Sequence, residues 1–280
     1  MPIDPALTEL VRRALIEDVG PGDITTQSCV PAGATATARI RAKQALVLCG
    51  HDEAGEVFRQ VGASYRPQVA EGASAAPGDV VAELSGPARA LLTGERVALN
   101  FLMMMSGIAT HTRATMAAAA GALRVVDTRK TAPLLRRQQR RAVAAGGAAN
   151  HRFALYDGVL IKDNHIVAAG GIEAAVGAAR ANAHHLLRIE VEVEDADGAR
   201  RAVEAGADVV MLDNMSDADM AAVVRELRGR ARFEASGNMS AERLPGLAAI
   251  GIDVVSIGGL IHQARWADLS MKFDPDGLTT

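Results

Sequence analysis

Two rhythms of hydrophobic and polar positions divide the chain. The first begins with Leu7, Leu10, Val11, Ala14 and Leu15 on one face of 5–18, the spacing of an amphipathic helix. Gly-Pro-Gly-Asp at 20–23 ends it. Residues 36–50 alternate apolar and polar positions as strands do, and 51–62 predict a helix closed by Gly62. Glycine and proline punctuate 62–88 into short strands, and a helix is expected from Leu91 to Ser106. This part reads as a small α+β domain.

The second rhythm consists of apolar runs that each end in a polar, charged or glycine position. They run to Asp127, Lys162, Glu192, Asp213, Ser236 and the Gly258-Gly259 pair. Helical segments separate the later runs, and Ser216 with Asp219, and Ser240 with Glu242, read as N-terminal caps. Strand–helix alternation with short turns predicts βα units on a parallel sheet. Six or seven such units can close into a barrel, whose chemistry sits at the carboxyl ends of its strands. The polar residues that end the runs would then ring one mouth.

Composition narrows the class. The chain has 280 residues and a formal charge of −3, enough length for a sizeable core and too balanced a charge for general nucleic-acid binding. Cys29 and Cys49 are the only cysteines, too few for a disulfide framework; both are expected in the core, in a reduced compartment. No basic-then-apolar leader pattern opens the chain and no segment has the length of a membrane span. A cytoplasmic protein is expected, with neither nucleic acid nor membrane as partner.

Charge is not evenly spread. Residues 127–165 hold eight Lys/Arg against three Asp, a local excess suited to a small polyanion carrying carboxylates or phosphates. Arg129 and Lys130 follow a strand directly, His151 and Arg152 follow the flexible stretch 144–149, and Lys162 ends a buried strand. Each alone is compatible with a solvated loop, and His165 with a capping role. Glu190, Glu192 and Glu194 share one strand face; at least one should meet the cations, while Glu190 or Glu194 can cap the strand ends toward solvent. Asp213 suits ribose hydroxyls or Mg2+, or an N-cap. Ser236-Gly237 and Gly258-Gly259 expose backbone N–H groups in the last two turns, where βα barrels often bind phosphate. Met103–Met105 reads as core and His184-His185 as a surface pair.

Several long motifs occur in order: EDVGPGDIT (17–25), GERVALNFLMMMSGIATHT (94–112), DTRKTAPLLR (127–136), AVAAGGAANHR (142–152), LIKDNH (160–165), EVEVE (190–194), VVMLDN (209–214), EASGN (234–238) and DVVSIGGLIH (253–262). Together they resemble the quinolinate phosphoribosyltransferase family nearly end to end. The resemblance implies an α/β protein with a small N-terminal α+β sandwich-like domain and an open α/β barrel of about six or seven parallel strands. We expect these over 1–112 and 113–265, with 266–280 packing back on the first domain. It implies a decarboxylating transfer: quinolinate and phosphoribosyl pyrophosphate, with Mg2+, give nicotinate mononucleotide, pyrophosphate and CO2 for NAD biosynthesis.

By the same resemblance Arg129, His151, Arg152 and Lys162 bind the two quinolinate carboxylates, and Arg96 reaches the site from the other subunit of a homodimer. Lys130 meets the pyrophosphate, Glu192 and Asp213 the ribose and Mg2+, and Ser236, Gly237, Gly258 and Gly259 the 5′-phosphate. Lys130, Lys162, Glu192 and Asp213 form the expected catalytic set. Arg136, Arg137 and Arg141 are expected outside it, on a solvated helix face. The chain departs from the family pattern at Ala148, Arg140-Arg141 and Ile261-His262-Gln263. A related molybdenum-transport group tends to lack the aspartate before TRKT and the LIKDNH motif, and this chain has both. A nicotinate-specific transferase would need cations for only one carboxylate.

Overall fold

The computed structural model describes residues 4–119 and 123–279. Residues 1–3, and Thr280 of the expected C-terminal segment, lie outside the described residues.

The chain divides into two compact units, the first made of Met1–His111, Arg137–Gly146 and Ala264–Thr280. Its helices α1 (Pro5–Val19) and α2 (Ile24–Cys29) start at Asp4 and Asp23, whose carboxylates accept the Ala6 and Thr26 N–H groups. Strands β1 (Thr35–Ala42) and β2 (Leu46–Val47), helix α3 (His51–Val61), and strands β3 (Ser64–Pro67), β4 (Ser74–Ala75) and β5 (Val80–Pro87) follow. The C-terminal strand β12 (Leu269–Phe273) completes a four-stranded sheet ordered β12-β1-β5-β3, antiparallel throughout. Alternation in β1 buries Ala36, Ala38, Ile40 and Ala42 and leaves the other face polar.

Helix α4 runs over Ala88–Ala119, well beyond the expected stop at Ser106. Gly107 lies inside it, and a Cβ there would sit 2.1 Å from the Arg265 carbonyl oxygen, so the glycine serves close packing rather than a turn. Helix α5 covers Arg136–Gly146, so the first half of the stretch expected to be flexible, 144–146, is helical, and the chain turns at Gly147, which has φ 103. Of the arginines expected on a solvated face, Arg137 is exposed, but Arg141 is not solvated alone: it binds Glu53 at 2.8 Å, Asp52 at 2.9 Å and Glu71 at 3.5 Å. Arg140, beside them, is buried. Cys49 is buried as expected, but Cys29 is exposed at the end of its short helix.

The second unit comprises Thr112–Arg136 and Gly147–Gln263. The six predicted strands all form: β6 (Arg124–Val126), β7 (Val159–Ile161), β8 (Ile189–Val193), β9 (Val209–Asp213), β10 (Arg232–Ser236) and β11 (Val254–Ser256). They pair in parallel in the order β6-β11-β10-β9-β8-β7. No ladder joins β6 to β7 among the described residues, so the barrel is open; a single bridge from Val126 to Ala149 stands where a seventh strand would begin.

Helices α6 (Asp163–Ala169), α7 (Ile172–Asn182), α8 (Ala196–Glu204), α9 (Asp217–Leu227), α10 (Leu244–Ile250) and α11 (Gly259–His262) occupy the connections. Ser216 caps α9 by accepting the Asp219 N–H at 3.2 Å, whereas Ser240 precedes a 3-10 turn and makes no such bond. Ile189, Val191, Val210, Leu212, Phe233, Ala235 and Val255 are buried along the strands; burying one large aliphatic or aromatic side chain contributes about 1.5–3 kcal/mol. Near the amino ends, Asp208 and Asp253 accept the Ile189 and Phe233 N–H groups at 2.8 Å each. Those acids lock strand to strand, and the residues at the carboxyl ends are left for chemistry. Among the described residues no helix is long and apolar enough to cross a membrane.

Candidate active site

A cavity of about 680 Å³ opens at the carboxyl ends of the parallel strands. Thr128, Arg129 and Lys130 reach it from the turn after β6, His151 and Arg152 from the turn after Ala149, and Leu160 and Lys162 from the end of β7. Glu192 enters from β8, Met211, Asp213 and Asn214 from β9, Ser236, Gly237 and Asn238 from β10, and Ser256 from β11. The sequence-predicted Arg129, Lys130, His151, Arg152, Lys162, Glu192, Asp213, Ser236 and Gly237 are therefore brought together. Gly258 and Gly259 are not lining residues, although a Cβ on Gly258 would lie 3.0 Å from the Lys130 side chain. Arg96 is exposed on α4 in the first unit and is not a lining residue.

Local structure sets each of these groups. Asp127 is fully buried and accepts the His151 N–H at 2.9 Å and the Asn150 side chain at 2.8 Å. It thus fixes the turn that carries His151 and Arg152. The Arg152 guanidinium donates to the Gly158 carbonyl at 2.8 Å. Burial, then the nearby Arg129 cation, lower its pKa from the ordinary arginine value, a penalty that an incoming anion would relieve. Lys162 precedes α6 and its N–H donates to His165 Nδ1 at 3.0 Å, so His165 is the capping histidine and not a cavity group. The Lys162 ammonium donates to Glu192.

The three glutamates of β8 separate by depth. Glu194 is exposed, Glu192 lines the cavity, and Glu190 is buried beside His151. The expectation that Glu190 could cap the strand toward solvent is thus corrected: its side chain points into the barrel. Asp213 is not an N-cap, since Ser216 takes that place; its carboxylate accepts the Asn214 side-chain N–H at 2.7 Å. Sequence reasoning left the role of Glu190 and Asp127 open and gave none to Glu234, Asn150, Asn214 and Ser256. All stand inside or next to motifs that end strands, and only their depth in the barrel distinguishes them.

His151 Nε2 lies 3.3 Å from Glu190 and 3.5 Å from Glu234. Burial opposes a charged ring, but the acceptor oxygens and negative charge of both glutamates outweigh it and push the imidazole pKa up to about 10; burial raises Glu190 as well. The Arg152 N–H donates to His151 Nδ1 at 2.7 Å, which sets the ring N–H at Nε2, facing the two glutamates. The same trio has the spacing of a metal site. A metal on Nε2 would need the ring proton on Nδ1, facing the Arg152 N–H donor, so the tautomer opposes it.

Residues 108–272 match the family described as quinolinate phosphoribosyl transferase, C-terminal domain, and residues 23–106 match the N-terminal domain of the same description. A protein of Bacillus subtilis (strain 168) described as a probable nicotinate-nucleotide pyrophosphorylase [carboxylating] is 40% identical over 268 residues, covering 95% of this chain and 92% of its own. The Homo sapiens nicotinate-nucleotide pyrophosphorylase [carboxylating] is 40% identical over 272 residues, covering 95% of this chain and 91% of its own. The crystal structure of NadC from Streptococcus pyogenes superposes with a TM-score of 0.92 at 39% identity, covering 100% of this chain and 99% of that one.

Proposed function

The chain belongs to the quinolinate phosphoribosyltransferase family, and on that premise we propose that the barrel cavity joins quinolinate to phosphoribosyl pyrophosphate, releasing nicotinate mononucleotide, pyrophosphate and CO2 in NAD biosynthesis. The activity is that of a decarboxylating pentosyltransferase. The observation that carries this reading is the cavity's charge pattern: Arg129, Lys130, Arg152 and Lys162 line it together with only two carboxylates, Glu192 and Asp213. Both substrates are polyanions, and bringing them together costs Coulomb energy unless cations line the pocket.

Arg129, Arg152 and Lys162 bind the two adjacent carboxylates of quinolinate, while His151, whose Nε2 faces Glu190 and Glu234, lines the pocket beside them. Lys162 exchanges its Glu192 partner for a substrate carboxylate, and Glu192 is thereby released toward the ribose. The ring nitrogen attacks C1′ of the ribose, the bond to pyrophosphate breaks, and the electron pair leaves with the pyrophosphate beside Lys130. Positive charge that develops on the ribose is stabilised by Glu192 and Asp213. The product nitrogen is a pyridinium. When the neighbouring C–CO2 bond breaks, its electron pair stays on carbon next to that positive charge and is quenched by a proton, so no electron-sink cofactor is needed.

Ser236 and Gly237, with Gly258 and Gly259, hold the 5′-phosphate. Glu192 and Asp213 offer the carboxylate oxygens that Mg2+ prefers, directly or through water. When bound, Mg2+ would neutralise charge on the pyrophosphate. Arg96 completes the quinolinate site from the second copy of a homodimer, in the cytoplasm. The test is to incubate the protein with Mg2+, phosphoribosyl pyrophosphate and quinolinate and to assay nicotinate mononucleotide and CO2. Both products in equal amount are expected; product from nicotinate but none from quinolinate would overturn the reading.

A further inference from the structure

The turns after β9 and β10 are tied together by one side chain that the motif-based assignment leaves without a role. Asn214 has φ 54, a left-handed backbone that few residues other than glycine adopt without cost. Its backbone N–H donates to the Ser236 carbonyl at 3.1 Å, and Ser236 is the register partner of Asp213. Its side-chain N–H donates to the Asp213 carboxylate at 2.7 Å. Its side-chain oxygen fills the space over Gly237, where a Cβ would lie 2.2 Å from Asn214 Oδ1 and 2.9 Å from its backbone nitrogen. Gly237 is itself left-handed, with φ 86. One residue therefore aims the carboxylate on one strand end and packs against the backbone of the next.

We infer that Asn214 is a positioning residue for the phosphoribosyl donor. The inference rests on the reading above, in which Asp213 meets the ribose and Ser236-Gly237 the 5′-phosphate. Through its two arms Asn214 sets the spacing between those two recognition points, and those arms go to Asp213 and Ser236 rather than to the cations expected to hold quinolinate. Asparagine suits the task for two reasons. It is among the few side chains tolerated in the left-handed region, and its amide gives a donor to the carboxylate and an uncharged oxygen to the glycine turn. Aspartate would place a second negative charge against Asp213. Alanine would lose both contacts and strain the backbone.

The test compares Asn214→Gly, which keeps the backbone conformation, with Asn214→Asp, which keeps the shape. Equilibrium binding of ribose 5-phosphate, measured by calorimetry without metal, should weaken about tenfold in both variants, the loss of about one polar contact to a charged group. Binding of quinolinate should stay within about twofold, since its cations are untouched. In turnover, KM for phosphoribosyl pyrophosphate should rise and KM for quinolinate should not. Unchanged ribose 5-phosphate binding would overturn the inference. So would an equal loss for both ligands with a fall in Tm, which would mark a merely structural role. The wild-type chain is assayed alongside: if it makes no nicotinate mononucleotide from quinolinate, the functional reading fails; if it does while the variants bind the donor normally, only the Asn214 inference fails.

Discussion

Arg129 and Arg141 come from the same cation-rich run and end in opposite situations. Arg141 finds three carboxylates of its own unit, Glu53, Asp52 and Glu71. Arg129 is exposed at the cavity, and among the described residues no carboxylate lies within ion-pair distance of it. The fold supplies the counter-charge in one case and withholds it in the other. A buried carboxylate that has lost its cation is costly, so the Arg141 cluster has to be complete in the folded chain. A cation that waits at a cavity beside a second cation, Arg152, is paired only when an anion arrives. The rule that separates structural from functional cations here is where the negative charge comes from.

The strongest way to break this contrast is Arg129→Ala. A charged contact to substrate is worth about 1.5–3 kcal/mol, so kcat/KM for quinolinate should fall about 10- to 150-fold. Because no carboxylate among the described residues pairs with Arg129, Tm should move by no more than about 2 °C. Near-normal turnover would remove Arg129 from the site.

Arg141→Met should do the reverse, since Glu53 is 0% exposed. Losing its cation should cost about 1–3 kcal/mol of stability, below the range for a wholly buried pair because Arg141 itself is partly solvated. The residual KM for quinolinate, measured well below the transition, should be unchanged. Acid should soften the loss. Burial raises the Glu53 pKa, and Arg141 pulls it back. The folded chain therefore holds that proton more tightly than the unfolded chain, and the stability it contributes is present at low pH and lost as pH rises through the raised value. Without Arg141 the value rises further. Arg141→Met should then be more destabilised at about pH 8 than at about pH 5, and adding Glu53→Gln should abolish the difference. Equal destabilisation at both values would mean that Glu53 is not the group left uncompensated.

The two clusters were not equally legible before the structure. Each cavity strand announces itself, because an apolar run followed by one polar residue can only be a buried strand reaching the surface at Asp213 or Ser236. Which unit α5 would join was hidden. Its buried face is made of Gln138, Gln139 and Arg140 as well as Ala142 and Val143, so apolar periodicity, the usual signal, is weak there. The acids that anchor Arg141 lie near residues 52 and 71, far away in sequence. Glu190 was hidden for a different reason. Strand alternation tells that Glu190, Glu192 and Glu194 share a face, but only the depth of the barrel decides that the first is buried with His151, the second lines the cavity and the third meets water.

The smallest effect sharpens the rule most. Arg137 also has a counter-charge supplied by the fold, Asp4 at 2.6 Å, yet the two side chains remain 55% and 34% exposed. If a built-in partner alone made a cation structural, Arg137→Ala should cost as much as Arg141→Met. If burial of the partner sets the cost, the loss should lie within about 0–1 kcal/mol and shrink further in about 1 M salt. The second outcome is expected. Asp4 can turn to water when Arg137 is gone, and its other oxygen still accepts the Ala6 N–H at the start of α1, whereas Glu53 has no solvent to turn to. Turnover should be unaffected. A large, salt-insensitive loss in Arg137→Ala would show that α5 is held by the number of its ion pairs and not by the buried carboxylate at their centre.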